Sequence, residues 1–326
     1  MMKKYISILL LLCAVCLIFA SCAEPYRPIE PTAEEARQVA LVGEYAVLYD
    51  ELRFVTVNVK QGIANSYGVD WSDEETVEEY AEELERSVWQ SLVRNYAVML
   101  LFTEAYGGDA SVEESVTEQI EAIVKECGGM DGYRAYLAEN AMTDRLVRFN
   151  FEVSLKEFEL LNYYAELGLI DGSESAMADF FFGDGMVRTM HICIDGIGDS
   201  QIALAEELCT RREAGEDVFA LAEEYSTDYD AIGSAGEYIM RGDYVEEYED
   251  VAFGLEVGEV DFITVGERTY VICALEKDMT YFLENYDTVY YSYLYSEFDA
   301  IIERQCNKMN VEKTALGEAL ELWQLD

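Results

Sequence analysis

Proline is almost missing from this chain: three of 326 residues, Pro25, Pro28 and Pro31, all near the N-terminus. The folded body after them carries no X-Pro bond, so its own folding has no slow prolyl isomerisation step. Histidine occurs once, as His191, and no Cys-x-x-Cys occurs beyond the N-terminal apolar run that holds Cys13 and Cys16, which leaves no zinc ligand set and no expected metal or other cofactor. Basic residues are scarce, 22 against 66 acidic ones, for a net charge of −44. Such a chain is repelled by nucleic acid and by anionic lipid, whereas a basic polypeptide is attracted to it. The same charge also suits solubility in an acidic or saline habitat. Apolar runs are short: the longest, Ile6 to Phe19, falls below the length of a spanning helix. No Gly-x-Ser-x-Gly elbow occurs, and Gly233-Ser234-Ala235-Gly236 does not supply one. A hydrolase built on His191, Ser226 and Asp228 therefore ranks last among the functions considered. Disorder is excluded by a hydrophobic content of 51%.

Lys3-Lys4 followed by the short apolar run reads as an export signal over residues 1–21. The run Phe19-Ala20-Ser21-Cys22 resembles the lipobox of bacterial lipoproteins. That resemblance implies cleavage before Cys22, lipid on its thiol, and attachment to a cell membrane at the extracytoplasmic face. Residues 22–35, with all three prolines, form a stiff tether. Removing the leader and assigning Cys22 to lipid leaves Cys127, Cys193, Cys209, Cys273 and Cys306, an odd and scattered set unlike a disulfide framework. Cys193 and Cys273 fall on candidate neighbouring strands, so one bridge stays open.

Residues 37–47 read as a strand entering a turn, and a helix follows to about Ser66 with Tyr49, Leu52, Val55 and Val59 on one face. Ser72 opens a capping box for a long helix to about Tyr106. The acidic loop Asp70 to Asp73 lacks the glycine and terminal Glu spacing of a calcium loop. Helices are expected over 111–127, 130–140 and 143–167, then a break at Gly172-Ser173 and a junction at Phe180-Phe181-Phe182-Gly183. Tyr281 to Cys306 reads as one tyrosine-rich helix whose face packs back on the earlier ones.

Between Gly185 and Lys277 the pattern changes. A strand-like run, Val187 to Ile194, precedes helical spacing capped at Asp199 and Ser200, a stop at Gly215 and a second helix at Val218–Tyr225. Then come Glu237-Tyr238-Ile239-Met240, a helix over 246–255, and strands over 260–265 and 268–275, giving β-α-α-β-α-β-β. The pieces VRTMHI, GEDVFALAEEYSTD, GSAGEY, RGDYVEEYEDVAFGL, VGEV and TYVICAL, in this order, resemble the parvulin family of peptidyl-prolyl isomerases. The resemblance implies that His191 is the first family histidine. Asp228, or Tyr229 in a shifted loop, holds the Cys/Asp position. Val271 stands where the family has a second histidine, and the hydroxyl position falls near Arg268. Ala235, Tyr244 and Tyr248 stand where the family has its Leu, Met and Phe pocket, with Phe253 a further pocket candidate.

The expected fold is α+β: a discontinuous all-helical module, residues 36–183 and 278–326, with an inserted parvulin-like α/β domain at 184–277. This layout resembles that of PrsA- and SurA-type foldases. It implies an extracytoplasmic foldase with isomerase activity, whose partners are unfolded or partly folded exported polypeptides. The competing expectation is a holdase whose parvulin domain binds clients without turning them over.

Overall fold

The computed structural model describes residues 26–107, 111–232 and 234–326. The export signal, Cys22 and Gly233 lie outside the described residues. The described chain opens with β1 (Gln38–Val42) and β2 (Tyr45–Leu48). One strand was expected here, and the structure has an antiparallel hairpin pairing Val42 with Tyr45. Gly43, at φ +58°, makes the two-residue turn possible, a conformation that a side chain at that position would resist.

Five helices follow: α1 (Tyr49–Tyr67), α2 (Glu74–Tyr106), α3 (Glu113–Glu126), α4 (Met130–Glu139) and α5 (Asp144–Glu166). The cap of α2 is Asp73, whose carboxylate accepts the Thr76 amide, while Ser72 instead donates its hydroxyl to Asp70. Thr143 caps α5 in the same way through the Leu146 amide. Residues 174–182, read as a break and junction, form α6 (Glu174–Phe182), capped by Ser173 and stopped at Gly183. Three consecutive phenylalanines hid the helical period there.

Next come β3 (Val187–Asp195), α7 (Asp199–Glu213), α8 (Val218–Tyr225), β4 (Glu237–Ile239), α9 (Glu246–Gly254), β5 (Val260–Val265) and β6 (Arg268–Leu275), the element order expected from the sequence. Gly198 occupies the cap of α7, so Asp199 lies in its first turn and does not cap it. The single helix expected over 281–306 is two, α10 (Met279–Glu284) and α11 (Tyr286–Cys306). Asn285 interrupts them in a non-helical conformation and donates its side-chain amide to the Tyr281 carbonyl, a local bond that competes with the helix ladder. The chain closes with β7 (Val311–Lys313), α12 (Ala315–Ala319) and a 3-10 turn at Leu322–Gln324.

Two compact units result. One comprises residues 26–64, 69–170 and 294–326 of the described chain, and the other 65–68 and 171–293. The first is predominantly helical but also carries a three-stranded sheet, β2-β1-β7, in which Val42 pairs with Val311. One of its cores joins Val116, Ile120 and Val124 of α3 to Met130, Tyr133 and Leu137 of α4 and Val147 of α5.

The second unit is built on an antiparallel sheet in the order β4-β3-β6-β5. Alternation along β3 and β6 gives the sheet two faces. Met190, Ile192, Ile194, Val271 and Cys273 point into a core with Ala205 and Leu208 of α7 and Leu221 and Ala222 of α8. Each such fully buried aliphatic side chain stabilises the fold by about 1.5–3 kcal/mol. The opposite face carries Ile272 and Tyr270 against Tyr248 and Ala252 of α9. At the start of β4, Gly236 (φ +89°) passes so close to β3 that a Cβ would sit 2.9 Å from the Thr189 carbonyl oxygen. Cys193 pairs across the sheet with Tyr270, and Cys273 with Met190. The two cysteines are thus offset along the strands and on opposite faces, and all five cysteines from Cys127 onward are free thiols.

Candidate functional site

The second sheet face is where chemistry-bearing residues converge. His191 lies in the middle of β3, opposite Ile272, and is 6% exposed. Its Nε2 lies 3.0 Å from Asp228 Oδ2, and its Nδ1 lies 3.1 Å from the Tyr248 hydroxyl. Asp228 stands on the loop after α8, which Ser226 fastens to β3. The Ser226 hydroxyl oxygen accepts the amides of both Cys193 and Asp228. Thr227 adds a backbone bond from its amide to the Cys193 carbonyl. Ser226 therefore serves as a loop fastener and has no nucleophile geometry toward His191.

The state of this group follows from its partners. Partial burial pushes the Asp228 carboxyl up, but hydrogen bonds from His191 and from the Asp230 and Ala231 amides outweigh it and hold the group below its ordinary value. Asp228 is therefore a carboxylate near neutral pH and can only accept, so Nε2 carries the proton. In the neutral imidazole Nδ1 is then an acceptor, and Tyr248 donates to it. Tyr248 can do so because burial raises its hydroxyl pKa well above the ordinary tyrosine value. Thr189, on the same face of β3, hydrogen-bonds to Tyr248 in turn. The result is one directed chain, Thr189 to Tyr248 to His191 to Asp228.

Around it stands an aromatic wall. The Tyr244 and Tyr248 rings stack at 4.4 Å. Tyr270 meets both Tyr248 and His191 edge-on, with centroids 5.6 Å away in each case. Burial, aided by a 2.6 Å hydrogen bond from the Tyr244 hydroxyl to Glu237, raises the Tyr244 pKa. Glu249, itself buried, accepts the amides of Gly242 and Tyr244 and so fixes the loop that carries Tyr244.

The structure brings His191, Asp228, Tyr244 and Tyr248 together. It leaves Tyr229 83% exposed, so Asp228 and not Tyr229 faces the histidine. Val271 is buried on the other sheet face under α7 and α8, because β6 alternates and its neighbours Tyr270 and Ile272 take the His191 side. Phe253 is half-buried beside the α9 core, with the Arg241 guanidinium 4.5 Å over its ring. Ala235 is exposed, and its carbonyl accepts from Arg188. Sequence reasoning missed Tyr270, Glu249 and Glu237. The period-two pattern of Thr-Tyr-Val-Ile-Cys-Ala-Leu was the signal for Tyr270, since strict alternation separates it from Val271. Among the described residues no cluster of His, Cys, Asp or Glu is arranged to hold a metal ion.

Residues 183–278 match the family model described as the PPIC-type PPIase domain. The chain is 27% identical over 211 residues to the foldase protein PrsA of Halalkalibacterium halodurans, covering 61% of this chain and 60% of that one. It is also 27% identical over 266 residues to the PrsA of Caldanaerobacter subterraneus subsp. tengcongensis, covering 79% and 78%. The chain thus spans 60% to 63% of the length of the first relatives it matches. Among solved structures, PrsA of Bacillus anthracis aligns at 15% identity with a TM-score of 0.37, over 68% of this chain and 96% of that one. PrsA of Streptococcus pneumoniae aligns at 20% with a TM-score of 0.34, over 72% and 88%.

Proposed function

We propose that this chain, which carries a parvulin-type domain, is an extracytoplasmic foldase that isomerises X-Pro bonds in exported polypeptides. The observation that carries this reading is the directed hydrogen-bond chain ending on Asp228 beside a tyrosine wall, inside the segment that matches the isomerase family. Uncatalysed rotation faces a barrier of ~18–20 kcal/mol, set by amide resonance. Nothing covalent is required: the site must hold the prolyl ring and favour the twisted amide over the planar ones. Tyr244 and Tyr270, both partly exposed, supply flat apolar faces for the ring, and the buried Tyr248 backs Tyr244. The Asp228 carboxylate, held in place by His191, disfavours a charge-separated planar amide whose oxygen bears negative charge beside it. Tyr248 orients the imidazole, and Thr189 orients Tyr248.

The test is cis-to-trans isomerisation of proline tetrapeptides by the purified full chain. Acceleration that drops about tenfold or more in Asp228→Asn and in His191→Ala supports the assignment. No acceleration across a panel of residues before proline, with the domain shown folded, sinks it.

Attachment through Cys22 is the second part of the reading. It rests on the lipobox-like Phe19-Ala20-Ser21-Cys22, together with the fact that no helix among the described residues is long and apolar enough to cross a membrane. Incorporation of a labelled fatty acid that Cys22→Ser abolishes would support it, and equal labelling of the variant would refute it. The division of labour, helical residues 36–183 and 278–326 holding clients and 184–277 turning them over, belongs to the same proposal. Its readout is suppression of client aggregation, which should survive Asp228→Asn.

A further inference from the structure

A recessed feature lies in the helical unit, made of residues outside the site already described. A cleft of about 300 Å³ is lined by Trp71 and Trp323, by Asp73 at the cap of α2, and by Glu74, Val77 and Glu78 on its first turns. Glu74, Val77 and Glu78 recur at helical spacing and so share one face. Lys60 links Trp71 to the C-terminal turn. The Trp71 ring N–H donates to the Lys60 carbonyl at 3.1 Å, and the Lys60 ammonium donates to the Leu325 carbonyl at 2.7 Å, next to the turn that bears Trp323. With its N–H occupied, Trp71 presents only ring surface to the cleft.

The rim has the opposite character to the walls. Glu74 and Glu78 are exposed and make no hydrogen bond or ion pair among the described residues. Asp73 spends Oδ2 on the Thr76 amide and hydroxyl. With three acidic residues for every basic one, the chain has few cations of its own for these positions. Lys60 and Arg53 are nearby, but both are committed to the C-terminal turn at Leu325 and Asp326. The positive end of α2 works against a bound cation, and the Asp73 carboxylate, seated on that end, offsets it.

We propose that this cleft binds a cationic side chain, a guanidinium or an ammonium, of a non-native polypeptide, between the indole faces and the Glu74 and Glu78 carboxylates. Indole is the strongest neutral partner for such a group, and carboxylates at the rim add charge attraction. The identity of the partner rests on the foldase reading, and the site is separate from the isomerase face. It would select basic segments of clients by charge, complementing a prolyl site that selects by ring shape.

The test uses proline-free peptides, so it stands or falls apart from isomerase activity. Fluorescence of the full chain, whose three tryptophans include both cleft residues, is titrated with acetyl-Gly-Ser-Arg-Ser-Gly-amide, its lysine analogue and its citrulline analogue. Citrulline keeps the shape and removes the charge. Saturable quenching by the arginine and lysine peptides is expected, with the citrulline peptide weaker by about tenfold or more. Glu74→Gln with Glu78→Gln, both at exposed positions that leave the fold intact, should weaken the arginine peptide by about tenfold. Trp323→Leu, which keeps Trp71 as the reporter in the cleft, should weaken the arginine peptide by removing one indole face. Equal binding of citrulline and arginine, no effect of the double glutamine variant, or no saturable change would each overturn the proposal. So would tetramethylammonium binding in preference to both cationic peptides, which would assign the cleft to a free cation.

Discussion

Each unit contains a buried polar network that can be set against one in the other, and only the one in the sheet unit looks like a site. In the sheet unit, Thr189, Tyr248, His191 and Asp228 form a chain that ends on a carboxylate one third exposed. In the helical unit, Asp50 and Glu51 at the start of α1 meet Arg145 of α5 and Tyr96 of α2, and both carboxylates are almost fully buried. Arg145 bonds both Asp50 oxygens, Thr143 adds a hydroxyl to Asp50, and Tyr96 donates to Glu51 at 2.9 Å. The second network has more charge and deeper burial than the first, and neither of its carboxylates reaches solvent. Perturbed groups mark function only when a ligand can reach them. Sealed away, the same chemistry fixes how helices pack, and its cost appears as sensitivity to substitution and to pH.

Variants should pull the two networks apart. The largest effect is expected from Arg145→Met. It strands a nearly buried Asp50 carboxylate and should cost the helical unit roughly 3–5 kcal/mol, read as a lower urea midpoint, while Asp228-dependent isomerisation stays unchanged in the fraction still folded.

Glu51 comes next. Burial, more than Tyr96 and Arg145 can counter, raises its carboxyl from 4.5 to about 7, and its Oε1 has no partner. A carboxyl whose folded value lies above its unfolded one binds its proton more tightly when folded. Its contribution is therefore full below about pH 4.5 and is lost as pH rises towards 7, by about 3 kcal/mol in all. Urea stability of Glu51→Gln should lack that fall between pH 5 and pH 8, and a wild-type slope identical to the variant's would contradict the assignment.

Asp228→Asn should lower the isomerisation rate by ten- to a hundredfold, about 1.4–2.8 kcal/mol, with a urea midpoint shifted far less than in Arg145→Met. Because the folded Asp228 value is depressed, its bond to His191 is present above the ordinary Asp value and fades only in acid as pH falls through the lower folded one. Tyr244→Phe is the mildest change. It loses one hydrogen bond to an exposed glutamate, worth about 0.5–1.5 kcal/mol at most, and should be seen mainly in KM.

The sheet unit was legible because its signals are local. Alternation in Val187–Ile194, helical spacing after Asp199 and a glycine at each turn gave every element in order. His191 and Asp228 could be paired in advance only through family resemblance, since 36 residues separate them and no periodicity links them. Tyr248 was read as pocket wall, and its hydrogen bond to Nδ1 depends on how α9 crosses the sheet. Val271 was misplaced for a simpler reason: a residue was matched by position along β6 without asking which face it took. The helical unit was legible as helices and illegible as a network. Asp50, Glu51 and Arg145 look like ordinary charged surface positions until α1 and α5 are packed. The strand at Val311–Lys313 is three residues long and offers no pattern of its own.

That short strand has a consequence for biogenesis. β1 sits in the centre of its sheet with β2 on one edge and β7 on the other, so its second edge waits for residues more than 260 positions downstream. On a chain that emerges N-terminus first, all of residues 171–293 appear before that edge can close. The order of emergence thus gives the sheet unit time to fold before the helical unit is complete, and makes the last strand the latch that finishes it.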